Sequence, residues 1–267
     1  MKRTVTIASR ELRSLFVSPV AYVILTLYSV LGGFFFLSSV LAFDREVLSA
    51  QQLQNFEYLR ALNLNDHVVA PFFGIMSVVL LFLVPGITMG LFAAEKANGT
   101  DELLLTSPIT IWDIVIGKCL AAVGFVALLV LLVAFYPGLL FVLQEAKPEL
   151  GKTLSGLLGL LLVGITYASV GAFASSLTRN QVIAFTLAFV LLLVLWMLSF
   201  LADLGATGGS LGASGWLTEL LRWLSSAEHF EQLLKGLIDT KDLTYFAVIS
   251  GSFLLLAKAA VESVRWR

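Results

Sequence analysis

Five stretches of the chain run without a formal charge for the length needed to cross a bilayer, about 20 residues. They are residues 21–43, 71–94, 119–143, 153–178 and 180–202. A sixth, 243–261, is interrupted only by Lys258, close enough to its end for the ammonium to snorkel into the headgroups. A charge at the centre of a span costs roughly 2.5–3.5 kcal/mol, so runs this clean mark lipid as the solvent. The pattern predicts an all-α polytopic membrane protein with spans near 21–43, 71–94, 114–143, 153–178, 180–202 and 243–261. All belong to one transmembrane domain over 1–267. Small residues Gly164, Ala168 and Ala172 recur at four-residue intervals, with Gly171 and Ser175 beside them. Such a stripe lets helices approach closely, either within one subunit or across a dimer. Pro85, towards the inner half of span two, and Pro137, towards the outer end of span three, are expected to kink their helices.

Between the spans the periodicity changes. Val5, Ala8, Leu12, Leu15 and Phe16 recur at helical spacing with Arg3, Arg10 and Arg13 among them. This predicts an amphipathic interfacial helix over 1–19, ended at Pro19. In the segment 203–242, Leu217, Leu220, Leu221 and Leu224 form one apolar stripe. Phe230, Leu233, Leu234, Leu237 and Ile238 form a second. Two short helices follow, which either lie flat on the membrane or dip back into the leaflet. The glycine-rich run 205–215 separates them from span five as a flexible linker.

Composition supports the membrane assignment and charge adds an orientation. Of 267 residues 58% are hydrophobic and 13% charged, about half the charge of a soluble domain. Before the first span stand four basic residues, Lys2, Arg3, Arg10 and Arg13, against Arg45 just after it. The positive-inside rule then places both termini in the cytoplasm. On that side fall ten basic and six acidic residues, and on the other seven and twelve. The 1–19 segment has no apolar run or small-residue cleavage site, so the first span is expected to serve as the targeting signal.

The densest local signal is the loop 95–113 between spans two and three. Gly99 permits a tight turn, and Thr100 can cap a helix in whose first turn Asp101 and Glu102 complement the dipole. Pro108 stops that helix after about seven residues, a rod of roughly 10 Å. Thr110 can cap the next helix, running through Asp113 and Lys118 into span three. Leu103, Leu104 and Leu105 are thereby presented on the cytoplasmic side. They would either dock into a protein partner or lie in the lipid interface.

The run GITMGLFAAEKANGTDELLLTSPITIWDIVIGK, from Gly86 to Lys118, resembles the second-span and coupling-loop signature of the ABC-2 type transporter permeases. Within that family it is most similar to the gliding-motility GldF-like and nitrous-oxide-cluster NosY-like branch. The matching pieces are Ile87-Thr88-Met89, Glu95-Lys96, Gly99-Thr100, Glu102-Leu103-Leu104, Ser107-Pro108 and Gly117-Lys118. Ser226-Ala227-Glu228-His229-Phe230 with Gly236-Leu237-Ile238-Asp239 resembles the outer motif of the same branch. Gly90 departs from the pattern, where an arginine or another polar residue is expected. The resemblance implies a type V exporter-like permease subunit. Its coupling residues would be Glu95, Lys96, Gly99, Thr100, Asp101, Glu102, Leu103, Leu104, Leu105, Thr106, Ser107 and Pro108. They would meet a separate ABC ATPase dimer that binds ATP and Mg, and Glu95 would be a fixed charge linking the loop to the surface helix or the ATPase. An outer gate would involve His229, Phe230, Leu233, Leu234 and Leu237. A second six-span permease, a copy or a paralogue, would complete the pathway, with a periplasmic auxiliary protein as a further partner. The expected location is a bacterial inner membrane.

Other chemistries find little footing. Gly151-Lys152-Thr153 imitates the end of a phosphate-binding loop, but Ala146 stands where the loop needs glycine. No nucleotide site, cofactor, catalytic residue or nucleic-acid surface is therefore expected in this chain. Two histidines, His67 and His229, expected in separate outer loops, and one cysteine, Cys119, make no metal site. The spans carry scattered hydroxyls and no buried charge, which speaks against an ion-coupled secondary carrier. That pathway also argues for a lipid, glycan-linked or amphipathic substrate over a small ion. A non-transporting scaffold that passes ATPase motion to periplasmic partners remains an alternative.

Overall fold

A computed structural model describes residues 2–100, 110–143, 148–207 and 215–264, and every regular element among them is helical. Helix α1 (Lys2–Val17) ends at Ser18, whose hydroxyl accepts from the Val20 amide at 3.3 Å, with Pro19 at the first position of the next helix. Proline is favoured there because the missing N–H has no helical acceptor. The chain then forms α2 (Pro19–Gln52), a short α3 (Phe56–Ala61) and a π-helical turn (Asn65–Val69). That turn leads into α4 (Ala70–Thr88) and α5 (Gly90–Asn98). The remaining helices are α6 (Ile111–Leu143), α7 (Leu150–Leu177), α8 (Gln181–Thr207), α9 (Gly215–Leu224), α10 (Ser226–Leu234) and α11 (Thr240–Val264).

Among the described residues six helices are long and apolar enough to cross a membrane: Pro19–Gln52, Asn65–Asn98, Ile111–Val142, Leu150–Leu177, Gln181–Asp203 and Thr240–Ser263. Each covers one of the stretches read from the sequence to within a residue, and most helices run past their stretch at one end or both. Helix α2 continues nine residues beyond Phe43 through Asp44, Arg45 and Glu46. At 1.5 Å per residue its 34 residues span about 50 Å, against roughly 30 Å of hydrocarbon. Helix α8 likewise passes through Gly205 to Thr207, so the expected linker begins later, and residues 208–214 lie outside the described chain.

The core is organised around α7, which packs against α4, α5, α6, α8, α10 and α11. Its small residues make this possible. A Cβ at Gly164 would collide with Val126 of α6, and one at Gly171 with the Thr88 hydroxyl of α4. At Gly156 it would lie 2.7 Å from the Phe73 ring. The small-residue stripe thus serves contacts within this chain. By contrast, only 22% of the hydrophobic window of α2 and 17% of that of α8 is buried. These two helices form the outer flanks of the bundle.

The helix order brings the two described ends of the chain to one end of the bundle. There α1 packs along the start of α6, and the Lys258 ammonium of α11 stands 5.9 Å from the Trp112 ring centroid. At the far end, Asn65 joins spans two and four. Its Oδ1 accepts from the Glu149 amide at 2.6 Å, and its Nδ2 donates to Glu149 O at 3.2 Å and Thr153 Oγ1 at 3.3 Å.

Candidate functional site

The loop between α5 and α6 emerges at the end where α1 lies, and its two roots are tied together by charge. Lys118, 1% exposed, donates from Nζ to Glu95 Oε1 at 2.8 Å and to Leu91 O at 2.7 Å. It also lies 3.3 Å from Glu11 Oε1 on α1 and 5.4 Å from the Phe92 ring centroid. Arg10 donates to the same Glu11 oxygen at 2.8 Å and stands 4.0 Å from Glu95. Two cations and two carboxylates therefore close a cluster that spans α1, α5 and α6. The Glu11 hydrogen bond raises the Arg10 pKa above its ordinary value, against the opposing desolvation.

Both roots are capped. Gly99 ends α5 with φ +68, the left-handed conformation that glycine adopts without strain, and the Thr100 amide reaches back to Glu95 O at 3.0 Å. The Thr100 hydroxyl also donates to Glu95 O, at 3.3 Å. This bond closes the preceding helix, and the following helix that Thr100 was expected to cap lies outside the described residues. On the other side Thr110 caps α6: its Oγ1 accepts from the Asp113 amide at 3.2 Å and donates to Asp113 Oδ2 at 2.7 Å. Thr4 of α1 donates to the other Asp113 oxygen at 2.6 Å. Helix α1 thus holds the α6 root through both Thr4 and Glu11, and reaches the α5 root through Arg10, 4.0 Å from Glu95. Gly117 allows this approach, since a Cβ there would lie 2.9 Å from Ile7 and 3.1 Å from Thr4 O.

Of the expected coupling residues, Glu95, Lys96, Gly99 and Thr100 stand together at this root, with Lys96 donating to Ser176 O at the end of α7. Asp101, Glu102, Leu103, Leu104, Leu105, Thr106, Ser107 and Pro108 lie outside the described residues. Sequence reasoning missed Lys118, Glu11, Arg10 and Thr4 as partners. It also expected no buried charge in the spans. The structure buries Lys118 and, at the far end, Asp242, because the helices outrun their uncharged stretches and neighbouring helices enclose their charged ends.

At the far end the expected gate residues divide. Phe230 and Leu233 are buried against Gly159 of α7, where a Cβ would meet either residue at 3.0 Å. Leu234 reaches towards Gly156. Leu237 and Ile238 are exposed and lie beyond the helix. Helix α10 stops at Leu234 because Gly236 takes φ +83, and the Leu237 amide returns to Gln232 O at 3.2 Å. The second apolar stripe is therefore shorter than its spacing predicted. His229 lies inside α10, not in a loop, and is joined to α11. Its Nδ1 lies 2.7 Å from Asp242 Oδ1, its Nε2 lies 2.9 Å from Trp223 O, and its ring stacks on Tyr245 with centroids 4.0 Å apart. His67 is likewise helical, in the π-turn before α4.

A family model described as "ABC-2 family transporter protein" covers residues 5–264. No curated protein matches the chain.

Proposed function

The chain belongs to the ABC-2 transporter family and is a transmembrane permease subunit; from that premise we propose that it is half of an ATP-driven exporter, coupled to a separate ATPase through the loop between α5 and α6. The end carrying α1 is the cytoplasmic one on this reading, in an inner membrane, as the basic residues before the first span favour. The observation that carries the proposal is the loop's double anchorage. Glu95–Lys118 ties the two roots to each other, and Thr4–Asp113 and Glu11–Lys118 tie α6 to α1. A push on the loop would then be delivered to α5, α6 and the surface helix as one body. A second six-span subunit, a copy or a paralogue, would face the sparsely buried flanks α2 and α8. The ATPase dimer would supply the ATP and Mg chemistry, and this chain would supply only motion. Its placement in the GldF-like and NosY-like branch rests on the motif residues alone.

The test is a photo-crosslinking side chain at Leu104, introduced into cells that also express the ATPase. The proposal expects an adduct of the combined mass, strongest in the ATP-bound state. Adducts to lipid alone would place the loop in the membrane interface and remove the proposal. ATP-driven movement of a substrate into inverted vesicles would then distinguish export from mechanical coupling to a periplasmic partner.

A further inference from the structure

The second span is helical in backbone conformation throughout, but its hydrogen-bond ladder is interrupted at Met89. The interruption lies between Thr88 and Gly90, and Met89, four residues after Pro85, keeps helical angles (φ −54, ψ −33). In an unbroken α-helix the Phe92 and Ala93 amides would reach Thr88 O and Met89 O. Here both donate to the Ser175 hydroxyl of α7, at 3.0 and 3.1 Å, and that hydroxyl donates to Met89 O at 2.8 Å. A side-chain hydroxyl from a neighbouring helix thus bonds into the helical ladder, an arrangement that weakens the helix locally and favours bending there. Ser175 is fully buried, so no water competes for these bonds.

The flanks of the break differ. Above it, α4 is held: the Thr88 hydroxyl bonds to Val84 O at 2.9 Å, and Gly171 of α7 lies directly against that side chain. Below it, α5 is bolted to α7 on one side by Ser175 and by Lys96. Its other side faces a cavity of about 250 Å³ bounded by Gly86, Met89, Gly90, Ala94, Leu15 and Ile24. A Cβ at Gly90 would meet nothing within 4 Å. There is room for α5 to move, and three hydrogen bonds to one hydroxyl oppose the movement.

We infer that Met89 is a hinge in span two, that Ser175 is the positioning residue that sets its angle, and that the adjoining cavity is the space into which α5 swings. The inference rests on the coupling reading, because α5 leads directly into the loop proposed to receive the ATPase. Helix α5 has nine residues, a lever of about 13 Å, so a change of about 20° moves its tip by about 4–5 Å. Lys118 ties α5 to α6 and α1, so the three would move as a block.

The experiment measures the distance between spin labels at Ala97 and Leu177, both exposed, in the permease held in lipid nanodiscs. Ser175→Ala removes the inserted hydroxyl and is expected to shift or broaden the distance distribution by about 4–5 Å. Ser175→Thr keeps the hydroxyl and is expected to reproduce the wild-type distribution. If the alanine variant superimposes on wild type, or the threonine variant behaves like alanine, the hinge assignment is overturned. Should Ser175→Ala not fold, Gly90→Leu carries the test, because its side chain would occupy the cavity. In the ATPase complex, the nucleotide-dependent change of the same distance is expected to be lost in Gly90→Leu, and an undiminished change overturns the inference. Coupling is read separately, from whether the ATPase co-purifies with wild type. An ATPase that does not bind removes the coupling reading and leaves the label distances of the free permease to decide the hinge.

Discussion

Replacing Lys118 with methionine keeps most of the aliphatic stem and removes the ammonium on which the loop root converges. Leu91 O then loses a donor. The Glu95 and Glu11 carboxylates, 21% and 16% exposed, are left facing Arg10 alone. Arg10 reaches Glu11 at 2.8 Å but stands 4.0 Å from Glu95. A hydrogen bond to a charged group contributes about 1.5–3 kcal/mol, and breaking one side of a fully buried pair costs about 3–5 kcal/mol. Both carboxylates can turn partly to water, which lowers the cost to about 2–3 kcal/mol. Glu95→Gln removes one carboxylate from the same cluster and is expected to cost about 1–2 kcal/mol. Because the two changes remove the same contact, the double variant should fall short of their sum by at least about 1 kcal/mol. The assay is reversible unfolding in mixed micelles, with the four proteins of the cycle compared at one detergent composition. Additivity to within about 0.3–0.5 kcal/mol would refute the reasoning, since residues that do not interact behave that way.

Gly164→Ala should destabilise the chain by about 1–3 kcal/mol through overpacking against Val126, and Val126→Ala in the same chain should restore most of the loss in the same unfolding assay. His229→Ala leaves the buried Asp242 carboxylate without its ring partner. It should cost about 3–5 kcal/mol and raise hydrogen exchange over α10, while the α1–α6 contact keeps its protection. Gly236→Val should fray the end of α10, because a β-branched residue is strained at φ +83 and its Cβ would fall 2.8 Å from the Lys152 side chain. Exchange at residues 235–238 would report it.

The spans were legible because each uncharged run is about as long as the hydrocarbon is thick, and an apolar surface of that length is stable only in lipid. Their ends were not, because loss of hydrophobicity marks the limit of lipid and not of the helix. Asp44, Arg45 and Glu46 continue α2 without interruption. The caps at Gly99 and Thr110 could be anticipated, since each acts on its own neighbours in sequence. The loop-root cluster could not, because Glu11 and Lys118 are 107 residues apart and only the packing of α1 on α6 brings them together. Pro85 pointed to a weak place in span two, and the interruption of the ladder lies four residues on, at Met89. Its position is fixed by Ser175, from a helix more than 80 residues further along. The stripe of Gly164, Ala168, Gly171 and Ala172 announced close packing without naming the partner helices, which are α4 and α6.

The central claim, that the loop between α5 and α6 is the docking element for an ATPase, is tested most directly by Leu104→Asp. The substitution would place a carboxylate in an apolar socket, at a cost of about 3 kcal/mol or more. At 1.4 kcal/mol per factor of ten, that weakens association by about 100-fold. The measurement is co-purification of the ATPase with wild-type and variant permease, together with the permease-stimulated rate of ATP hydrolysis. The account predicts a variant that inserts and folds like wild type, retains little ATPase and loses stimulation. A variant that retains full association and full stimulation would contradict it.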